Sequence, residues 1–190
     1  TLTTKTAVLT GSTGGIGQEI ARFLAKQGWD LALVNRSQEK TDLQLEELRR
    51  VYPSQEFAGF IANLMDTSDI NRVAVEIGSR YTEIAALYNI AGLLTNKRVM
   101  SPQDVEGHFA LNALAPHVLT QLLCKQLSAG SKGVRQSVVV NFSSSAVNGV
   151  KELDVATLTN PESIGGLMGA YAKSKAALTA VSHLMKEELL

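Results

Sequence analysis

The sequence predicts a doubly wound α/β fold, a parallel sheet with helices on both faces. Three observations carry this. Short apolar, partly β-branched runs alternate with longer segments of helical period from the N-terminus onward. A glycine-rich loop, Thr10 to Gly17, reads Thr-Gly-Ser-Thr-Gly-Gly-Ile-Gly between the first such run and the first helical segment. The chain's 190 residues, 45% hydrophobic, are enough for one domain with a sizeable core. No repeat, low-complexity tract or interdomain linker divides residues 1–190. Strands are expected near 5–10, 30–35, 56–61, 84–88 and 136–142, and helices over roughly 16–27, 38–51, 67–80, 103–128 and 168–190.

The first strand, Thr6-Ala7-Val8-Leu9, runs into the glycine loop. Gly11 suits a tight turn, Gly15 the approach of a ligand to the backbone, and Gly17 close helix–strand packing. With Ser12, Thr13 and Ile16 they form a candidate phosphate cradle, because N–H groups of the helix's first turn face an anion favoured by the helix dipole. The Gly-x-x-x-Gly-x-Gly spacing differs from the commonest dinucleotide fingerprint. No Lys-Ser/Thr pair follows, which argues against an ATP-type loop. Taken alone, the stretch also fits a plain tight turn. Gly28 supplies the helix stop.

The second strand ends in Asn35-Arg36-Ser37, where a dinucleotide fold meets the adenosine ribose. An acidic residue there would suit the 2′-hydroxyl of NAD. Its absence and the presence of Arg36 favour the 2′-phosphate of NADP. After the third strand, Asn63 and Leu64 sit where an adenine edge would lie, although Asn63 also suits a turn. Asp66 or Thr67 can cap the next helix. The fourth strand leads into Asn89-Ile90-Ala91-Gly92, small enough for a ring to lie against the backbone, with Asn89 placed to tie neighbouring strands.

In the long fourth helix, Pro116 clashes with the carbonyl four residues back, that of Asn112, and gives it no donor. A kink there would free the Asn112 carbonyl for water. A packing kink is the alternative. The fifth strand reaches Ser143-Ser144-Ser145 at the ligand-binding end of the sheet. No Gly-x-Ser-x-Gly elbow surrounds them, which argues against a hydrolase nucleophile. Tyr171 and Lys175 then fall four apart on one helix face, while Lys173 points away. An ammonium beside a phenol favours its ionised form, as acid–base catalysis requires.

Balanced charge, with 18 basic and 18 acidic residues, argues against nucleic acid and against a disordered acidic tail. No apolar run reaches membrane-spanning length and no signal peptide is visible. One cysteine, Cys124, fits a reducing, cytoplasmic setting and is expected to fill core. His108, His117 and His183 lack metal-ligand spacing with each other or with Cys124; all are read as structural or surface residues, with no metal.

Together these residues resemble the short-chain dehydrogenase/reductase family: Thr10 to Gly17 for its glycine loop, Asn89 to Gly92, Asn112, the serines after strand five, and Tyr171-x-x-x-Lys175. The resemblance implies a Rossmann-type three-layer α/β/α fold and hydride exchange between NADP(H), preferred over NAD(H), and a small carbonyl or alcohol substrate. It makes Asn112, Ser144, Tyr171 and Lys175 the catalytic set. Tyr171 would exchange a proton with the substrate oxygen, Ser144 would bond that oxygen, and Lys175 would also bind the nicotinamide ribose. A water on Asn112 would connect Lys175 to solvent. It further implies a homodimer or homotetramer.

Three departures from the family pattern stand out. Ile90 replaces an asparagine, Asn63 replaces an aspartate, and Ser144 lies 27 positions before Tyr171, a longer gap than is usual. The insertion, about 148–166, carries Leu153, Val155, Leu158 and Ile164, resembles the loop of retinol-dehydrogenase-like members, and is expected to line or cover the substrate site. Family members continue past the Tyr-bearing helix, so C-terminal strands are expected to be missing and strand five to be left as an edge. Two alternatives remain: a 3-oxoacyl-thioester reductase of fatty-acid type, against which the long loop weighs, and a catalytically silent NADP(H) sensor or scaffold.

Overall fold

The structure, a computed structural model, describes residues 5–131, 136–154, 158 and 167–189. Five strands, β1 (Thr6–Thr10), β2 (Asp30–Asn35), β3 (Phe57–Ile61), β4 (Ala86–Asn89) and β5 (Val138–Asn141), form one sheet in the order β3-β2-β1-β4-β5. Every neighbouring pair is parallel. The period of two explains how the sheet serves two layers. Ala7 and Leu9 pack with α1 (Gly15–Lys26) and α2 (Gln38–Val51) through Leu24, Leu45 and Leu48. Val8 faces α3 (Thr67–Arg80) and the segment that follows β4, through Ile70, Val73 and Leu119. Ala7, Val8 and Leu9 are all fully buried, as a central parallel strand requires.

Sequence order sets the site. The chain steps outward from β1 to β2 and β3, then returns to place β4 on the other side of β1. Loops leaving β1 and β4 therefore diverge, and the crevice between them opens at the C-terminal ends of both strands.

Helix ends follow local chemistry. α2 and α3 begin and end where their periodicity predicts, because Ser37 caps the first by accepting the Lys40 N–H at 3.3 Å and Asp66 the second by accepting the Ser68 N–H at 2.9 Å. α1 has no side-chain cap. It stops at Gln27, with Gly28 following at φ +82°, the left-handed conformation glycine tolerates.

The expected helix over 103–128 is instead four pieces: α4 (Gly107–Phe109), a π-helical turn (Ala110–Leu114), α5 (Ala115–Leu122) and α6 (Cys124–Gly130). Its start is delayed because Ser101 Oγ accepts the N–H groups of Gln103 and Val105, closing a turn that ends in a bridge between Met100 and Glu106. At Pro116 the kink takes the form of the π turn, in which the Ala115 N–H reaches back to the Ala110 carbonyl. Cys124 is half-buried at the start of α6 rather than within the core. The last helix, α7 (Leu167–Leu189), packs along the π turn, α4 and β5.

Two leucines of the insertion, Leu153 and Leu158, are among the described residues. Leu158 is 4% exposed and clusters with Ala113, Ala177 and Leu178, with Leu153 against the same group. Their apolar surface is used to seat the insertion on α7 and the π turn. Val155 and Ile164 lie outside the described residues. β5 is an edge of the sheet among the described residues, with Val138 exposed.

Candidate active site

A cleft of about 620 Å³ opens at the crevice between β1 and β4. One wall is the glycine loop with Thr13, Gly15, Ile16 and Gly17; a second is Asn35 and Arg36; a third is Asn63 and Leu64; the floor is Ala91, Gly92 and Leu93. Residues from four strand ends thus meet around one cleft.

The glycines act in different ways. Gly11 has φ +68°, and a Cβ there would lie 2.8 Å from the Ala91 Cα, so it permits both the turn and the close approach of the β1 and β4 loops. Around Gly15 no atom lies within 4 Å of such a Cβ, leaving the backbone open to the cleft. Gly17 lies in the first turn of α1, against the residues that leave β1. A Cβ there would meet the Gly11 carbonyl at 2.2 Å, so its absence lets the start of the helix close on the end of the strand.

Ser12, expected in the cradle, does not line the cleft. It is fully buried. Its N–H donates to Asn35 Oδ1 at 2.8 Å, its hydroxyl to Gln44 Oε1 at 2.8 Å, and its carbonyl accepts from Gln44 Nε2 at 2.6 Å. With donors and acceptors committed behind the loop, it holds the cradle's shape and offers nothing to a ligand. Asn35 and Gln44, which sequence reading did not single out, are its anchors. Thr10 is another such residue: its hydroxyl accepts the N–H groups of Ile90 and Ala91 at 3.0 and 3.1 Å, fastening the β4 loop to β1.

Asn63 lines the cleft but spends Oδ1 on the Met65 N–H at 3.2 Å, which is the turn alternative. Asn89 is 3% exposed. It donates to Asn141 Oδ1 at 2.8 Å and so ties β4 to β5, behind the cleft rather than in it. Arg36 is exposed at the cleft's edge.

Beyond Gly92 the second half of the site begins. Asn112 is fully buried in the π turn. Its amide receives the Leu93 N–H at 2.7 Å, returns a bond to the Leu93 carbonyl at 2.9 Å and donates to Ser174 Oγ at 3.0 Å. Ser174 in turn donates to the Tyr171 carbonyl at 2.7 Å. The side chain of Asn112 therefore clamps the cleft floor to α7, while Pro116 denies its carbonyl an α-helical donor. Each Leu93 group left unpaired would cost about 1–3 kcal/mol, which makes the clamp a sizeable stability element.

Lys175, only 6% exposed, donates from Nζ to the Phe142 carbonyl at the end of β5. Burial pushes its ammonium below the ordinary lysine range. A Cβ on Gly92 would sit 3.4 Å from Asn112 Oδ1 and 3.7 Å from Lys175 Nζ, ordinary contact distances that place both groups beside Gly92 on the floor. Tyr171 lies one turn before Lys175 on α7, half-buried, its ring edge-on to His108 with centroids 6.3 Å apart. Ser143 is taken by Thr179 on α7 at 2.8 Å. Ser144 uses a lone pair to accept the Ala146 N–H at 3.2 Å, which leaves its O–H free to donate.

Residues 5–190 match the family described as short chain dehydrogenase, and the chain belongs to that family of oxidoreductases. Polyprenol dehydrogenase of Homo sapiens is 26% identical over 186 residues, covering 97% of this chain and 56% of that protein. Retinol dehydrogenase 11 of Homo sapiens is 30% identical over 142 residues, covering 75% of this chain and 43% of that protein. The chain thus spans about half the length of these curated relatives. Among solved structures, a metagenomic short-chain oxidoreductase in complex with NADP is 26% identical with a TM-score of 0.74, covering 97% of this chain and 76% of that one.

Proposed function

We propose that this protein exchanges a hydride between a nicotinamide dinucleotide, NADP(H) in preference to NAD(H), and a carbonyl or alcohol carbon. The observation that carries the reading is the convergence of Gly92, Asn112 and Lys175 at the end of β4, beside an uncapped helix and a glycine loop open to ligand. The residues fit a dinucleotide: the open backbone at Gly15 and the first turn of α1 suit a pyrophosphate, and Arg36 suits a 2′-phosphate. A bound nicotinamide supplies or accepts the hydride.

The chain's own residues do the rest. Tyr171 gives a proton to, or takes one from, the substrate oxygen, and Ser144 donates a hydrogen bond to that oxygen. Lys175 holds a ribose hydroxyl and, as a cation, favours the phenolate. The Asn112 carbonyl holds a water that relays protons between Lys175 and solvent. The glycine loop and the floor fix the geometry, from which much of the rate derives. The NADP complex of a structural neighbour supports the cofactor class.

The test follows NADPH consumption over a carbonyl panel, and NADP⁺ reduction with retinol and polyprenol, the compounds named in two relatives. Tyr171→Phe is expected to lower kcat by about a hundredfold or more while leaving NADPH binding intact. A wild type no faster than the variant would overturn the reading and leave a nucleotide-binding protein.

A further inference from the structure

Two ionisable side chains outside the proposed catalytic set are buried at the start of α4: Glu106, 5% exposed, and His108, 1% exposed. Burying such groups is unfavourable unless each is bonded, and an apolar pair would fill the space without that penalty. Here the bonding is complete on both sides of the imidazole. Thr95 can only donate its N–H, and it does so to His108 Nε2 at 3.3 Å. The proton of the ring therefore sits on Nδ1, which donates to Glu106 Oε1 at 2.8 Å. Glu106 Oε2 accepts the Phe109 N–H at 2.9 Å and so caps the helix that carries His108. Tautomer and ring plane are both fixed.

The fixed ring lies against Tyr171, with interplanar angle 76°. One turn further along, Asn112 clamps Leu93, two residues before Thr95. His108 and Asn112 thus hold successive points of the loop that floors the cleft, and both reach α7, one through the Tyr171 ring and the other through Ser174.

We propose that Glu106 and His108 are positioning residues for Tyr171, locking the plane of its ring to the loop after β4. The proposal rests on the reading of Tyr171 as the acid–base group. The pair acts through Tyr171 and need not touch substrate. Among the described residues, the titratable groups around Tyr171 are His108 against its ring, Glu106 behind that imidazole, and Lys175 one turn along α7.

His108→Phe keeps an aromatic ring against Tyr171 and removes both hydrogen bonds; Glu106→Gln keeps an acceptor for Phe109 and removes the carboxylate. Each is made in the wild type and in Tyr171→Phe. Readouts are kcat, the NADPH KM, and ultraviolet titration of the Tyr171 phenol, taken as the difference from the Tyr171→Phe protein. The expected result is a kcat loss of about tenfold, part of the hundredfold that a full ångström of misplacement costs. It comes with NADPH KM within about twofold, a displaced Tyr171 titration midpoint, and no further loss in the Tyr171→Phe background. An unchanged kcat and midpoint, or an equal fractional loss in both backgrounds, would overturn it. If His108→Phe fails to fold, Glu106→Gln decides. If the wild type turns over nothing on the panel, the proposed function fails, and the titration midpoint alone still decides the positioning role.

Discussion

Lys175 and Arg36 show how differently two cations can serve one cleft. Burial lowers the Lys175 pKa from its ordinary 10.5, so the folded state binds that proton less tightly than the unfolded chain does. Stability therefore rises with pH between the lowered folded value and 10.5, where the folded state has released the proton that the unfolded chain still holds. The stability of Lys175→Met minus that of wild type should fall through this window in pH-resolved denaturation; a difference flat with pH would contradict the burial account. Arg36 is exposed, where its charge is available to a phosphate. NADPH should bind more tightly than NADH, and Arg36→Ala should erase most of the difference, about tenfold to a hundredfold for charge-assisted bonds. Equal affinities in the wild type would remove that role.

The sequence singles these cations out by their neighbours: a strand end for one, a tyrosine four residues away for the other. The burial of Ser12 is not declared in this way, because its partner Gln44 lies 32 positions on and burial is settled by α2. His108 looks structural or surface in the sequence because its partners in the loop and on α7 are visible only once the chain is folded.

At the scale of elements, the same division between local and distant causes holds. α2 and α3 were legible to their ends because Ser37 and Asp66 sit beside the helices they cap. The long helix was not, because its start is set by the turn on Ser101 and its middle by a change of register that periodicity alone does not reveal. Pro116 did mark the place. Pro116→Ala restores an N–H for the Asn112 carbonyl and favours the α register over the π turn. Thermal stability should hold or rise, while kcat falls several-fold through loss of the proposed water site on that carbonyl. An unchanged kcat would show that the π turn serves packing alone.

For the whole molecule, alternation of strand and helix signals was enough to forecast a parallel sheet with helices on both faces, and the glycine loop located its crevice. The insertion was not legible in the same way. Leu153 and Leu158 are apolar in the sequence without declaring their partners, which the fold supplies as Ala113, Ala177 and Leu178. The crevice depends on how closely the β1 and β4 loops approach, and Gly11→Ala addresses that directly. Its φ of +68° and the 2.8 Å contact with Ala91 leave a methyl group nowhere to go without parting the two strands. Calorimetry should show lost nucleotide affinity, with stability lower by about 1–3 kcal/mol from backbone strain alone. Retained affinity would mean that the cleft does not depend on that approach.

The central claim is that the cleft, with Tyr171, moves a hydride. NADPH carrying deuterium at the transferable position of its nicotinamide, incubated with protein and a reducible carbonyl, tests it by mass spectrometry of the product. The account predicts deuterium on the product's carbinol carbon with wild type, and about a hundredfold less in the same time with Tyr171→Phe. Product lacking deuterium, or equal labelling by both proteins, would contradict it.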